Sequence, residues 1–352
     1  MKRRVLITGV STYWGGRLAQ ELEKDPANEA IIAVSPDDPA CALERTEYVR
    51  VGTQHALLRR IVHAAQIDTV VDTRLIVDST TAGRVGRSLA HEMNVLGTMN
   101  VLAACGGPDS PVTKVVFKSS AHYYGCERDD PSFFTEDMQR PHPPRTRIES
   151  DIVEAEDAVR EFAARNPKAT VTTLRFCNGL GPDVRTSHTA LLSLPAVPGI
   201  LGFDPRYQFI HEDDMVGALH HAVVADVPGV HNVAPDGVLA LSEIAGLLGK
   251  PFAPILPPWG TSLATALTSR MGVRIPDEVR QQLRYGRGLD NRKIKQSGYR
   301  FALTTRETVQ AFAAALRLKP LRESGEAPYR YEREVEEFLR WSPSVHRDES
   351  GG

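Results

Sequence analysis

The residues readiest for chemistry stand near the start of the chain, where Thr8-Gly9-Val10-Ser11-Thr12-Tyr13-Trp14-Gly15-Gly16-Arg17-Leu18 follows a short aliphatic run. Strand, tight turn and helix start, in that order, make a bed for the diphosphate of a dinucleotide. Glycine at 9 permits the turn, and glycine at 15 lets helix and strand approach. The helix's first amides, those of Tyr13 and Trp14 among them, then face the diphosphate, and the macrodipole favours its charge. The alternative is a turn that serves structure alone. The middle glycine of G-x-x-G-x-x-G is replaced by Thr12, whose hydroxyl would either donate to a phosphate or crowd it.

The next strand ends Ala33-Val34-Ser35-Pro36-Asp37-Asp38. An acid at such a tip hydrogen-bonds the adenosine ribose and repels a 2′-phosphate. Ser35 holds the tip here and Asp37 lies two residues further on, so NAD is favoured over NADP through Asp37 without NADP being excluded. The same aspartates would serve equally as solvated loop residues.

These residues need a scaffold, and the chain supplies one. Short β-branched runs at Arg4 to Ile7, Ala30 to Val34, Tyr48 to Val51, Thr69 to Val71, Lys114 to Phe117 and Thr170 to Leu174 alternate with stretches of helical spacing. Those stretches are Gly16 to Lys24, Gln54 to Ala65, Glu92 to Cys105 and Asp151 to Asn166. Pro26, Pro108 and Pro167 end three of them. Strands separated by helices predict an α/β, Rossmann-type, doubly wound parallel sheet. From Asn178 onward proline and glycine multiply, which predicts a smaller second lobe of loops and short helices. We therefore divide the chain into a nucleotide-binding domain at 1–175, a substrate lobe at 176–318 whose elements return to the first domain, and a charged tail at 319–352. Within the tail, Tyr331 to Leu339 reads as an accessory helix.

With 42 basic against 44 acidic side chains in 352 residues, the formal charge is -2. No whole-molecule field favours nucleic acid or an anionic membrane. Only the stretch from Arg140 to Arg147 argues for nucleic acid, and weakly. The four cysteines are scattered, with no C-x-x-C pair and no histidine at metal-ligand spacing, so neither a disulfide framework nor a metal site is expected. The run from Val5 to Val10 is too short for a signal-peptide core, and no later run has the length of a membrane span. The expected compartment is the cytoplasm.

Five further segments resemble the extended short-chain dehydrogenases/reductases, the epimerase/dehydratase branch in particular. Asn94 to Leu102 matches its "N-V-x-G-T-x-N-V-L" helix, and Ser119 to Gly125 its "S-S-x-x-x-Y-G" strand end. Leu174 to Pro182 resembles "L-R-x-x-N-x-x-G-P", Phe209 to Asp214 resembles "F-I-H-V-x-D", and Asp290 to Tyr299 resembles "D-x-x-K-x-x-x-x-G-Y". The resemblance implies NAD(P) in the first domain and a nucleotide sugar, or related alcohol, under the second lobe. Position by position, it implies that Asn94 organises active-site water and backbone, that Ser119 borders the cofactor, and that Ser120 hydrogen-bonds the reacting hydroxyl or ketone. Asn178 would contact substrate phosphate. Asp213 and Asp214 read as a helix N-cap and turn. A homodimer through a helical bundle follows by analogy only.

The family's Tyr-x-x-x-Lys pair is missing. Counting back from Glu154 puts Ser150 at the lysine and Thr146 at the tyrosine, and no tyrosine of the chain has a lysine four residues on. Proton transfer by such a group is worth about 10² to 10⁴ in rate. In addition, Val70-Val71-Asp72-Thr73-Arg74 replaces "V-x-H-x-A", so that Arg74 would pair with a phosphate, fill part of the site, or extend from a loop. His122, Tyr123, His142 and Lys118 are the substitutes on offer. Each reads as structural before it reads as catalytic, with His122 the best placed, just past a strand tip and with a side chain suited to proton transfer. Two functions compete: an NAD(P)-dependent enzyme with a rearranged acid/base set, and a catalytically inactive relative that senses a dinucleotide or metabolite or acts as a scaffold.

Overall fold

The aliphatic runs become parallel strands because both of their faces are covered. In the computed structural model, which describes residues 2–52, 54–77, 90–255 and 277–318, seven strands form one sheet. They are β1 (Arg3–Thr8), β2 (Asn28–Ser35), β3 (Glu47–Arg50), β4 (Thr69–Asp72), β5 (Lys114–Ser120), β6 (Thr170–Phe176) and β7 (Gly229–Val233), in spatial order β3-β2-β1-β4-β5-β6-β7, every neighbouring pair parallel.

Eight helices matter to the argument: α1 (Tyr13–Glu23), α2 (His55–Ala64), α3 (Gly97–Cys105), α4 (Arg147–Arg165), α5 (Ser187–Ser193), α6 (Glu212–Val224), α7 (Leu241–Leu248) and α8 (Asp277–Tyr285). Leu6, Val70, Val115 and Phe117 meet α2, α3 and α4 through Leu58, Val101 and Ile152. On the opposite face Val5, Ile7, Val71 and Val116 meet α1 and α6 through Leu18, Leu22 and Leu219. Successive side chains of one strand thus enter two cores, the reason the runs read as continuous rather than alternating. A third core, with Leu191, Tyr207, Phe209, Ile244 and Val309, lies in the C-terminal part.

That part adds three two-stranded pairs: Asn178–Leu180 with Phe209–His211, Val197–Ile200 with Phe252–Ile255, and Arg206–Tyr207 with Leu239–Ala240. Between them the chain returns to the main sheet through α6 and β7. Strand order reverses beside β1, whose neighbours are β2 and β4. The carboxyl ends of strands at such a reversal border a crevice.

All six expected strands are present, and the helices end just before Pro26, Pro108 and Pro167. Three helix starts differ from the periodicity by more than one residue. The first helix, expected from Gly16, begins at Tyr13, where the Thr12 hydroxyl caps it. The stretch expected as one helix from Glu92 opens with a π turn over Glu92–Leu96. And α4 begins at Arg147, because the Thr146 hydroxyl accepts from the Glu149 amide and caps it. The tail, with Tyr331 to Leu339, lies outside the described residues.

One buried lock ties α4 to the sheet. Glu156 holds Arg175 through contacts of 3.0 and 2.6 Å and accepts from the Ser119 hydroxyl, while the Arg175 guanidinium lies 3.5 Å from the centre of the Tyr123 ring. Removing one partner of a buried pair strands the other charge. Glu156→Ala should therefore lower the unfolding free energy by about 3–5 kcal/mol in denaturant titrations, and Glu156→Gln by less. A loss under about 1 kcal/mol for the alanine variant would count against the lock.

Candidate active site

The turn after β1 is built on contacts that admit no Cβ. Gly9 has φ +82°, and a Cβ at Gly15 would lie 2.3 Å from the Gly9 carbonyl oxygen and 2.7 Å from Thr73 Oγ1. The start of α1 is therefore pressed against the crevice between β1 and β4. Thr12 behaves as a cap: its hydroxyl donates to the Gly9 carbonyl at 2.7 Å and accepts from the Gly15 amide at 3.1 Å. Gly16 N–H returns to the Thr12 carbonyl. This leaves the amides of Tyr13 and Trp14 without an acceptor among the described residues, at the positive end of the helix. Two of the first-turn donors a diphosphate needs are present, and the turn fits one; Thr12 takes a third donor for itself.

The residues beside this turn hold each other. Arg74 is 5% exposed, and both ends of its fork meet Asp72, at 2.9 and 2.7 Å, so the geometry a phosphate would use faces a carboxylate instead. Its stem packs on Gly9. Burial would raise the Asp72 carboxyl, but Arg74 and the Thr8 hydroxyl outweigh it and keep the group below the usual carboxylate range. At the tip of β2, the Ser35 hydroxyl meets that of Ser11 at 2.6 Å, and Asp37 is exposed.

Further along the crevice a cavity of about 60 Å³ is lined by Trp14, Lys118, Ser119, Ser120, His122 and Asn178, with His188 of α5, Met215 of α6 and Val279 of α8 closing it. Ser120, His122 and Asn178 are thus brought together. Ser120 Oγ lies 2.8 Å from His122 Nδ1 and also accepts from the His122 amide at 3.2 Å. On the other side of the ring, Nε2 lies 3.5 Å from Gln282 Nε2, and Gln282 Oε1 lies 3.1 Å from His188 Nε2. Burial, then the cations Arg287 and Arg140 and the neighbouring His188, hold the His122 imidazole well below its ordinary pKa. Arg140, far from forming a surface patch, donates to the His122 and Tyr123 carbonyls and pairs with Glu149. Nothing near His122 in sequence announces Gln282 and His188; the fold alone supplies them.

Other expected residues sit elsewhere. The Asn94 amide holds the backbone of Ile76 at 2.7 and 2.8 Å, beside Val77 at the cavity, and so fixes backbone. Ser119 lines the cavity, but its hydroxyl is spent on Glu156. Thr146 caps α4 and Ser150 donates to Glu154 on the exposed face; no residue of α4 lines the cavity. The acid of α4 that reaches the sheet is Glu156, not Glu154. Counting back from Glu156 moves the two vacant family positions to Ile152 and Ile148, both buried in the apolar core, and neither register contains a tyrosine or lysine. Tyr123 lies under Arg175, and His142 faces Asp129 at 3.0 Å. The α6 cap is the His211 ring, not the aspartates: Asp213 pairs with Arg17, and Asp214 accepts from the Ala302 and Leu303 amides.

The sequence model of the NAD dependent epimerase/dehydratase family matches residues 5–234, and the chain belongs to that family. An uncharacterized protein of Mycobacterium tuberculosis is 32% identical over 323 residues, covering 90% of this chain and 85% of its own. Among solved structures, UDP-glucose 4-epimerase of Thermotoga maritima with UDP-glucose is 17% identical with a TM-score of 0.67, covering 90% of this chain and 99% of that one. UDP-glucuronic acid 4-epimerase of Bacillus cereus, in complex with UDP-glucuronic acid and NAD, is 15% identical with a TM-score of 0.66, covering 89% of this chain and 99% of that one. At these identities the structures establish the shared fold.

A histidine held neutral leaves a mark on stability. Below pH about 6.5 the unfolded imidazole takes a proton that folded His122 refuses, so stability falls as pH falls, by up to about 1.4 kcal/mol per pH unit. His122→Asn should flatten that part of the acid limb between pH 6.5 and 5 in urea titrations. An unchanged limb would mean that His122 titrates normally in the folded protein.

Proposed function

We propose that this chain is an NAD-dependent oxidoreductase of the epimerase/dehydratase type, acting on a nucleotide-activated sugar or related alcohol. In this reading Ser120 and His122 stand in for the absent tyrosine and lysine. The observation that carries the proposal is the 2.8 Å contact of Ser120 Oγ with His122 Nδ1 at the wall of the cavity. The family and the sugar-nucleotide enzymes of shared fold support the cofactor and substrate class. NAD is favoured over NADP through Asp37. The first domain, 1–175, holds the cofactor, and the lobe at 176–318 closes on the substrate.

The neutral imidazole has two tautomers, and each gives Ser120 a different task. With Nδ1 bare, the Ser120 hydroxyl donates to it and accepts from a substrate hydroxyl. As that O–H breaks, the substrate proton passes to Ser120 Oγ and the serine's own proton to His122 Nδ1. With Nδ1 protonated, His122 donates to Ser120 Oγ, and the serine O–H turns toward a substrate ketone. A bound nicotinamide supplies the hydride acceptor for the carbon. The amides of Tyr13 and Trp14 hold the diphosphate, and Asn178 orients the substrate phosphate.

A second reading, a catalytically inactive relative that senses a dinucleotide or metabolite or acts as a scaffold, is favoured by the Thr12 side chain, which occupies the Gly15 amide. We place the protein in the cytoplasm, in keeping with four free cysteines, and among the described residues no helix is long and apolar enough to cross a membrane. A homodimer through α3 and the π turn before it is supported by Leu96 and Met99, 50% and 49% exposed.

Saturation separates the two readings. At a hundredfold over its Kd, NAD should stabilise the protein by about 2.7 kcal/mol, visible as a rise in Tm. Turnover of a UDP-hexose panel should fall by about 10² to 10⁴ in His122→Ala while the NAD-induced rise persists. A rise without turnover favours the sensor; no rise with NAD, NADP or ADP-ribose removes the enzyme and the dinucleotide sensor and leaves the scaffold.

A further inference from the structure

Among the described residues, Lys118 is a cation that no carboxylate pairs with. It is 2% exposed and lines the same cavity as Ser120 and His122. Among the described residues its ammonium has no hydrogen-bond or ion-pair partner, and what faces it is the Trp14 ring, with Nζ 5.7 Å from the ring centre. The acid that acts on it is Asp72, whose oxygens are already held by Thr8 and Arg74. Among the described residues, the other titratable groups around the cavity are His122, His188 and Cys177, none of them an anion: His122 is held neutral, and burial pushes the Cys177 thiol up. Burial draws the Lys118 ammonium down to about 8, so the charged form still prevails at pH 7. A buried charge with no counter-charge is costly. A ligand that brings a negative oxygen removes that cost on binding.

The start of α1 adds to the same field, since Trp14, whose ring faces Lys118, carries one of the two amides without an acceptor. We propose that Lys118, with the first turn of α1, seats an anionic oxygen group of the bound ligand, and so is a ligand-binding residue in a family position occupied by no acid or base of the known pair. The inference rests on the reading of the crevice as a ligand site. The group is a phosphoryl oxygen of the dinucleotide or a carboxylate of the sugar.

Lys118→Met keeps the stem and removes the charge, and two measurements on it decide. In ligand-free melts at pH 7 the variant should be at least as stable as the wild type. Its advantage should shrink as pH rises from about 8 toward the free-lysine value of about 10.4, because the unfolded chain then keeps a proton that folded Lys118 has lost. In calorimetric titrations with NAD, ADP-ribose, UDP-glucose and UDP-glucuronic acid, the variant should lose tenfold or more in affinity. A parallel loss for NAD and ADP-ribose assigns the anion to the dinucleotide; a loss for UDP-glucuronic acid and not UDP-glucose assigns it to the sugar. Unchanged affinity for all four, or a ligand-free Tm lower by several degrees, overturns the proposal. Should the wild type bind none of them, the functional reading falls and inorganic phosphate becomes the probe. Stabilisation of the wild type and not of Lys118→Met then supports the seat, and equal behaviour overturns it.

Discussion

The site depends on one close approach, that of the α1 N-terminus to the turn leaving β1. With 2.3 Å between the Gly9 carbonyl oxygen and a Cβ built at Gly15, no other residue type fits at 15 without moving helix or strand. That contact holds the open amides of Tyr13 and Trp14 at the crevice where strand order reverses, and it brings the Trp14 ring over Lys118. The turn and its open amides are thus preformed by sterics rather than by attraction. The Thr12 hydroxyl satisfies the turn from within, so it does not need a ligand in order to fold.

A second constraint acts from the far side of the sheet. Glu156 joins α4 to Ser119 on β5 and to Arg175 on β6, and these two strands carry Ser120 and Asn178 into the cavity. Ile148 and Ile152, at the register set by Glu156, extend the apolar seam between α4 and the sheet. The helix that carries the family's proton-transfer pair is here a structural wall and lends no side chain to the cavity.

The sheet was legible because burial on both faces writes itself as unbroken aliphatic runs, and because proline marks helix ends by chemistry local to the chain. The meeting of Ser120, His122 and Asn178 was legible for a related reason, since they stand at or within two residues of the ends of strands that border the crevice. The register on α4 was not, because two acids, Glu154 and Glu156, lie two residues apart and only packing tells which one reaches the sheet. Gln282 and His188 were beyond reach: Gln282 meets His122 across 160 residues of sequence. The fate of Arg74 was open in the sequence, and Asp72, two residues before it, decides it by offering a nearer and permanent carboxylate.

Arg140 grips the carbonyls of His122 itself and of Tyr123, and a fixed positive charge behind an imidazole makes it a reluctant host for a proton. A ring so placed is kept by the fold as an uncharged hydrogen-bond partner of Ser120 Oγ.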